Sequence, residues 1–269
     1  MNELEIREQL TTWVQSDPGN TIPKTQKPIF DAPEVGVARA DDGLFKEFQQ
    51  SALIGPTHRL PSDWIENARS VISYFLPISD WINEANRTGD RPSESKVFAR
   101  FYGELFSERL RRRLVSYLLD AGYQAVAPTL TPDFSVKDMN SNWSERHVGY
   151  AAGLGTFGLH AGLITRRGTS GRIGSVVTDL ELPPSPRPEG GYQAYCLHAR
   201  GFRCGQCLPR CPAKALHYSG KDQEACSDYL KKVQGPWCQR TYGFAYSPCG
   251  KCYVAIPCES VCPPDPIRS

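Results

Sequence analysis

Apolar residues recur at helical spacing in two stretches of the chain. In residues 4–14 they occupy one face, which predicts a helix ended by the Asp-Pro-Gly turn of residues 17–19. In residues 106–118 an apolar residue recurs every four positions, which predicts the most regular helix of the chain: Phe106, Leu110, Leu114 and Leu118. Arg111 falls outside this apolar series, so the pattern predicts that it faces solvent.

Continuous apolar runs predict strands. Residues 71–76 form one such run, which stops at Pro77. Residues 163–165 and 173–182 form two more, and the short connection between them predicts that they pair antiparallel. The polar residues 83–96 are predicted to form a surface loop.

A proline-rich stretch, residues 183–191, indicates a linker and divides the chain into two predicted domains, residues 1–190 and 191–269. The composition, 40% hydrophobic and 22% charged, is typical of a globular protein, and the net charge of +2 gives no argument for nucleic-acid binding. No apolar run is long enough to span a membrane, and the acidic N-terminus does not read as a secretory signal. We therefore expect a cytoplasmic protein with no membrane partner.

The second predicted domain contains all ten cysteines, and their spacing indicates iron–sulfur chemistry. Residues 204–212 read Cys-x2-Cys-x3-Cys-Pro, the second half of the bacterial ferredoxin run. Gly201 stands where the leading cysteine is expected, and Cys196 is the candidate replacement. Two [4Fe–4S] clusters need about eight thiolates. The predicted ligands are Cys196, Cys204, Cys207, Cys211, Cys226, Cys249, Cys252 and Cys258.

Two cysteines remain outside this set. Cys262, which precedes a proline, competes for one of the eight positions, and Cys238 is the predicted spare. Zinc is the alternative metal, but zinc sites usually close four ligands as two separated pairs. The Cys-Pro endings and the three-residue spacing favour iron–sulfur clusters over zinc, and a cytoplasmic location favours metal over disulfides.

Two sets of glycines indicate close approach to the backbone. Residues 153–158 read Gly-x-Gly-x-x-Gly, which matches a dinucleotide fingerprint by letters but follows a predicted helix instead of a strand. The second set lies on the strands close behind. Either these glycines contact a large cofactor or they serve tight turns. The predicted cofactor-binding residues are Gly153, Gly155, Gly158, Gly168, Gly171, Gly174 and Ser175.

Three segments resemble the epoxyqueuosine reductases and the related reductive dehalogenases. Glu145 and Arg146 precede the Ala-Gly-Leu-Gly-x-x-Gly run of residues 152–158, residues 174–182 lead toward the cysteines, and Cys226 stands before a Tyr-Leu pair. The resemblance implies an α+β architecture, in which a nitroreductase-like α/β cofactor domain is followed by a bacterial two-cluster ferredoxin-like domain. It also implies that the two glycine sets line a cobalamin, with one cluster next to the corrin.

The chain departs from this family at two places. Leu159 follows Gly158 where the family has a lysine, and the family's proton-donating aspartate aligns with Met139, next to Asp138. Histidine titrates near neutrality and is a frequent proton donor. The candidate catalytic acids are Asp138, Glu145 and His147.

Together these features predict an iron–sulfur reductase that passes electrons through two clusters to a cobalamin and reduces a small or modified-nucleoside-like substrate. An external donor such as ferredoxin or flavodoxin is the expected source of electrons. The missing lysine leaves a non-catalytic electron carrier or cobalamin-binding protein as the alternative, and flavin is the alternative cofactor. A tRNA substrate is doubtful, because the chain stops soon after the cysteines and its charge is near neutral.

Overall fold

The computed structural model describes residues 1–50, 54–137, 139–244 and 248–264. Its α-helices, in chain order, are α1 Glu3–Ser16, α2 Gly43–Gln50, α3 Asp80–Arg87, α4 Glu94–Asp120, α5 Glu145–Ala151, α6 Gln223–Tyr229 and α7 Gly235–Tyr242. Its strands are β1 Thr21–Ile22, β2 Lys27–Pro28, β3 Glu34–Arg39, β4 Ser70–Pro77, β5 Ala125–Val126, β6 Val136–Lys137, β7 Asn140–Ser141, β8 Gly155–Phe157, β9 Leu163–Thr165, β10 Gly171–Thr178, β11 Leu216–His217 and β12 Gly220–Lys221.

The largest sheet in the described part of the chain has four antiparallel strands in the order β3-β4-β10-β5. Every residue of β4 is buried, because β4 is a central strand with a core on each face. Side chains alternate between the two faces of a strand, so Val71 and Phe75 enter one core while Ile72 and Tyr74 enter the other. Helices α1 and α4 cover the second of these faces, and α2 and α5 cover the first.

The strand pairing predicted from the sequence is wrong. The strand of residues 163–165 pairs with β8, not with the strand that follows it. That following strand, β10, pairs along its whole length with β4, from Gly171 opposite Pro77 to Thr178 opposite Ser70. The longer ladder satisfies more backbone groups and buries β10 from Gly174 to Thr178, which favours this pairing.

The predicted surface loop of residues 83–96 is wrong at both ends, because α3 extends to Arg87 and α4 begins at Glu94. Only residues 88–93 form a connection. Asn83 and Asn86 are polar in the sequence but buried in the structure. The side chain of Asn86 accepts a hydrogen bond from the Ser93 amide and donates one to the carbonyl of Cys249. Ser93 caps α4 by accepting from the amide of Lys96.

The cysteine-rich part of the chain packs against α3. The Glu259 carboxylate lies 2.7 Å from the Arg87 guanidinium, and the buried Lys251 ammonium donates to the carbonyls of Asn86 and Thr88 at 2.9 and 2.6 Å. The division into two domains at residue 190 stays a prediction. Among the helices of the described ranges, none combines the length and the apolar character needed to cross a bilayer.

Candidate functional site

The structure gathers eight cysteines into two groups of four. Site A is defined by the thiols that line one small cavity: Cys196, Cys204, Cys207 and Cys258. Site B is defined by the thiols that line a second cavity, of about 250 Å³: Cys211, Cys226, Cys249 and Cys252. These are the eight residues predicted as cluster ligands. Their role as ligands stays a prediction.

Site A lies in an apolar environment. Leu159, Ile164 and Ile256 pack with its cysteines in a separate hydrophobic cluster, and the ring of His160 lines the same cavity. Site B is more polar, because Lys96, Lys221 and Arg172 line it together with Tyr253. Lys96 is almost fully buried, and this burial lowers its pKa to about 8.

The thiols of each site influence one another. Burial, reinforced by the neighbouring thiols, raises the pKa of Cys207 to about 11 and that of Cys252 to about 12, and it also raises the pKa of Cys258. These thiols therefore stay protonated near neutral pH until a bound metal displaces the protons. Within the described ranges, no three His, Cys, Asp or Glu side chains surround one metal-ion position. Each group of four thiols surrounds a cavity instead.

The two other cysteines line neither cavity. Cys238 is fully buried in α7, and Cys262 is half-buried with its amide bonded to the carbonyl of Arg166. At site A the thiol of Cys258, and not that of Cys262, lies beside those of Cys196 and Cys207. Whether Cys262 replaces one of the eight predicted ligands stays open.

A larger cavity, the polar cavity, lies against site B. It has a volume of about 530 Å³, and α4, α5, β9 and β10 form its walls with Tyr253. Four residues line both the polar cavity and site B: Arg100, Gly171, Arg172 and Tyr253. A group bound in the polar cavity would therefore contact the same wall that borders the four thiols of site B.

A network of charges occupies the α4 wall of the polar cavity. The Glu104 carboxylate lies 2.8 Å from Arg100, 3.2 Å from Arg111 and 2.5 Å from Arg172. Burial alone would raise the pKa of Glu104, but the three guanidinium groups outweigh it and lower that pKa. Arg111 is only 5% exposed, so the prediction that it faces solvent is wrong.

Glu145 is the one predicted catalytic residue that the structure places on this cavity. Its carboxylate accepts hydrogen bonds from Ser175 Oγ at 2.6 Å, Arg111 Nη1 at 3.3 Å and Thr129 Oγ1 at 3.4 Å. The Ser175 hydroxyl accepts in turn from Trp143 Nε1 at 2.9 Å, which fixes its proton on the Glu145 side. Burial raises the pKa of Glu145 despite these partners.

The predicted acid His147 does not line the polar cavity. His147 lies between Phe48 and Phe157, with its Nδ1 2.8 Å from the Ser144 hydroxyl, and burial lowers its pKa to about 3. Glu145 and His147 are two positions apart on α5, and such residues point to different sides of a helix. Asp138 lies outside the described residues.

Most of the predicted cofactor glycines contact the protein itself. A Cβ atom would lie 2.6 Å from the carbonyl oxygen of Pro186 at Gly153, 2.0 Å from that of Ile164 at Gly155 and 2.3 Å from that of Glu259 at Gly168. At Gly158 and Gly174 it would meet the rings of His160 and Tyr74. Gly171 alone of this set lines the polar cavity, and Ser175 lies behind Glu145.

Sequence reasoning missed the α4 residues of this wall. Arg100, Glu104, Glu108 and Arg111 all line the polar cavity and follow one another at spacings of four, four and three residues. That spacing is a polar stripe on one helix face. Its signal was present in the sequence, but a stripe of charges on a helix usually faces solvent, and its partners Glu145 and Arg172 lie far along the chain.

Comparisons with known proteins identify the fold. No family model matches the chain. The tetrachloroethene reductive dehalogenase of Desulfitobacterium hafniense is 27% identical over 184 residues, which cover 54% of this chain and 32% of that protein. The chain thus spans about a third of the length of this curated relative.

Solved structures extend the likeness to nearly the whole chain. A catabolic reductive dehalogenase in complex with 3-bromo-4-hydroxybenzoic acid superposes with a TM-score of 0.57 at 14% identity, covering 96% of this chain and 36% of that one. An epoxyqueuosine reductase from Streptococcus thermophilus gives 0.55 at 15% identity, covering 99% and 69%. An epoxyqueuosine reductase with a modified tRNA stem loop gives 0.50 at 18%, covering 96% and 66%. The resemblance predicted from the sequence is confirmed: the chain has the fold of the epoxyqueuosine reductases and the reductive dehalogenases.

Proposed function

We propose that this protein is a reductase that carries two [4Fe–4S] clusters at sites A and B and a cobalamin in the polar cavity. The observation that carries the proposal is the shared wall, since four residues line both site B and the polar cavity. Electrons delivered to site B would then reach a group bound in the cavity across a single layer of side chains.

The grouping of the thiols supports two clusters. In two-cluster ferredoxins the cysteine before the proline in one run binds the other cluster. Here Cys211, which precedes Pro212, lines site B, whereas Cys204 and Cys207 of the same run line site A. Cys258 comes from the second run and lines site A, so the exchange is mutual. This supports a nitroreductase-like domain, residues 1–190, followed by a ferredoxin-like domain, residues 191–269.

The polar cavity suits a large cofactor with a nearby proton source. Gly162 and Gly171 keep part of its wall free of side chains, and Phe75, Leu163 and Ile173 add apolar surface. A bound cobalamin would supply low-valent cobalt chemistry, which the protein controls through placement and electrostatics. Glu145 would take up and release a proton at its carboxylate, because burial raises its pKa and Ser175 orients one of its oxygens.

An external one-electron donor such as ferredoxin or flavodoxin would reduce the clusters, and the substrate is a small or modified-nucleoside-like molecule. Site A is the proposed point of entry, because site B is the one that shares a wall with the polar cavity. The tRNA stem loop belongs to the solved epoxyqueuosine reductase, and a tRNA substrate is not part of this proposal.

The test is anaerobic reconstitution with iron and sulfide, followed by titration with cob(II)alamin. We expect close to eight irons per chain and a shift of the cobalamin spectrum to the base-off form at stoichiometric protein. Eight irons without a spectral shift would refute cobalamin binding. A yellow chromophore that survives purification would replace cobalamin with flavin.

A second candidate is an electron carrier or cobalamin-binding protein without turnover. Leu159 favours it, because this side chain replaces the family's lysine and lies in the apolar cluster of site A. It would bind cobalamin and accept electrons in the same titration, but it would turn over no epoxide and no organohalide.

A further inference from the structure

The turn between β8 and β9 places one histidine directly against site A. In this turn the Gly158 amide donates to the carbonyl of Gly162 at 3.0 Å, and the Ala161 amide donates to the carbonyl of Gly158 at 2.8 Å. Arg146 donates to the carbonyl of Ala161 and ties the turn to α5. The side chain of His160 is thereby turned inward, and it is only 1% exposed.

The hydrogen bonds of His160 fix its tautomer. The Gly162 amide donates to His160 Nδ1 at 3.0 Å, so Nδ1 carries a lone pair and no proton. The ring is therefore neutral, with its single proton on Nε2. Nε2 lies 3.5 Å from Cys258 Sγ, which is within the range of hydrogen bonds to sulfur.

The surroundings hold the ring in this orientation. A Cβ atom at Gly158 would lie 2.8 Å from the His160 ring, and a Cβ atom at Gly162 would lie 2.9 Å from it. Both positions must therefore be glycine to leave room for the His160 ring. Tyr253 contacts the ring edge to face at 5.0 Å. Both glycines thus make room for the His160 ring, and Gly158 is one of the predicted cofactor-binding glycines.

We propose that His160 is a positioning residue that donates a hydrogen bond from Nε2 to the Cys258 thiolate and raises the reduction potential of the cluster at site A. The inference rests on the clusters of the proposed function. A hydrogen bond to a cluster sulfur stabilises the additional negative charge of the reduced state. Such a donor matters more at site A than at site B, because positive charge also stabilises a reduced cluster. Lys96 and Lys221 line site B, whereas no lysine or arginine is among the described residues that line site A.

The test compares three variants after anaerobic reconstitution, by potentiometric titration followed with electron paramagnetic resonance. His160→Leu removes the donor at similar volume. His160→Gln keeps an N–H at the end of the side chain. His58→Leu is the matched control, since His58 is equally buried but bonds to the amide of Ser144 and not to a cysteine.

We expect His160→Leu to lower one of the two midpoint potentials by about a tenfold change in the reduction equilibrium, which is 59 mV for one electron. The other potential should stay unchanged. His160→Gln should recover most of the shift, and His58→Leu should show none. Two unchanged potentials in His160→Leu with the full iron content would overturn the inference while leaving the proposed clusters intact. A wild-type protein that fails to take up iron would instead refute the proposed function.

A second measurement covers the case in which His160→Leu does not assemble. Wild-type protein labelled with ¹⁵N-histidine is reduced, and electron–nuclear double resonance is recorded in ordinary and deuterated water. We expect a ¹⁵N coupling to one cluster and an exchangeable proton with it. Their absence would overturn the hydrogen bond, because the donor would then not face the sulfur.

Discussion

Glu104 holds three arginines together at the wall of the polar cavity, and its replacement by glutamine tests whether this network stabilises the fold. The carboxylate lies 2.8 Å from Arg100, 3.2 Å from Arg111 and 2.5 Å from Arg172. The Arg111 side chain is 6% exposed and that of Arg172 is 23% exposed, whereas that of Arg100 is 36% exposed. Arg111 and Arg172 therefore dominate the stabilisation by this network, because exposed ion pairs contribute little.

The magnitude follows from the loss of one partner of a buried pair, which costs 3–5 kcal/mol in typical proteins. Glutamine keeps a hydrogen-bond acceptor, and Arg111 keeps Glu145 at 3.3 Å, so the lower end applies. We expect the Glu104→Gln variant to lose about 3 kcal/mol of unfolding free energy. For a chain of this size, that corresponds to a fall of roughly 6–12 °C in the midpoint of thermal unfolding.

The dependence on pH gives a sharper signature. The arginines lower the pKa of Glu104, so its contribution is present above the unfolded value of 4.5 and is lost as the pH falls through the folded value. The difference between wild type and Glu104→Gln should be largest near pH 7 and should shrink below pH 4.5.

The assay is thermal unfolding of the reconstituted protein followed by circular dichroism, at pH 7 and at pH 4. Glu108→Gln is the matched control, because Glu108 lines the same cavity from the next turn of α4. In the described part of the chain, no arginine nitrogen lies within 4 Å of the Glu108 carboxylate. Equal midpoints for the two variants at pH 7 would refute the network argument.

Three other predictions test the remaining contacts. Glu145→Gln should unfold at or above the wild-type temperature at pH 8, because the raised pKa of Glu145 means that its ionisation costs stability as the pH rises. The variant should lose turnover while retaining cobalamin. A lower unfolding midpoint than that of the wild type would contradict this reasoning. Cys249→Ser should remove one of two cluster signals and about half of the iron, whereas Cys238→Ser should keep both, as judged by iron analysis and electron paramagnetic resonance. Gly168→Ala should unfold at a clearly lower temperature than Gly201→Ala. Both positions have a positive φ, which costs an alanine about 1–2 kcal/mol. Only at Gly168 would the new Cβ also meet a carbonyl oxygen, that of Glu259.

The parts of the site that the sequence predicts are those encoded by local spacing. The eight cysteines fall within one segment, and short spacings such as that of Cys204 and Cys207 bring thiols together without knowledge of the fold. The division of those eight into two groups was not predictable in the same way. It depends on which loop returns to Leu159 and Ile164, and this return brings Cys258 and not Cys262 to site A.

The glycines show that a local pattern leaves open which group contacts the backbone. A Gly-x-Gly-x-x-Gly run indicates that another group lies close to the backbone, but it does not indicate whether that group belongs to the protein or to a cofactor. At Gly155 the neighbour is the carbonyl of Ile164 on the paired strand β9, and at Gly168 it is the carbonyl of Glu259 in the cysteine-rich part. Both contacts join residues of the chain itself, and only the folded structure distinguishes them from contacts with a cofactor.

The loop of residues 249–259 links site B, site A and the polar cavity, and its anchors explain how three sites can keep a fixed geometry. Cys249 and Cys252 line site B, Tyr253 borders the polar cavity, and Cys258 lines site A. Lys251 lies between Cys249 and Cys252 in the sequence. Its ammonium binds carbonyls at the C-terminal end of α3, where a cation is favoured by the helix dipole. At the other end of the loop, the Glu259 carboxylate is 7% exposed and binds Arg87, the last residue of the same helix. Because both anchors lie on one helix end, the loop is held at two points against one rigid element, and the relative positions of the two cysteine sites and the cavity wall follow from α3.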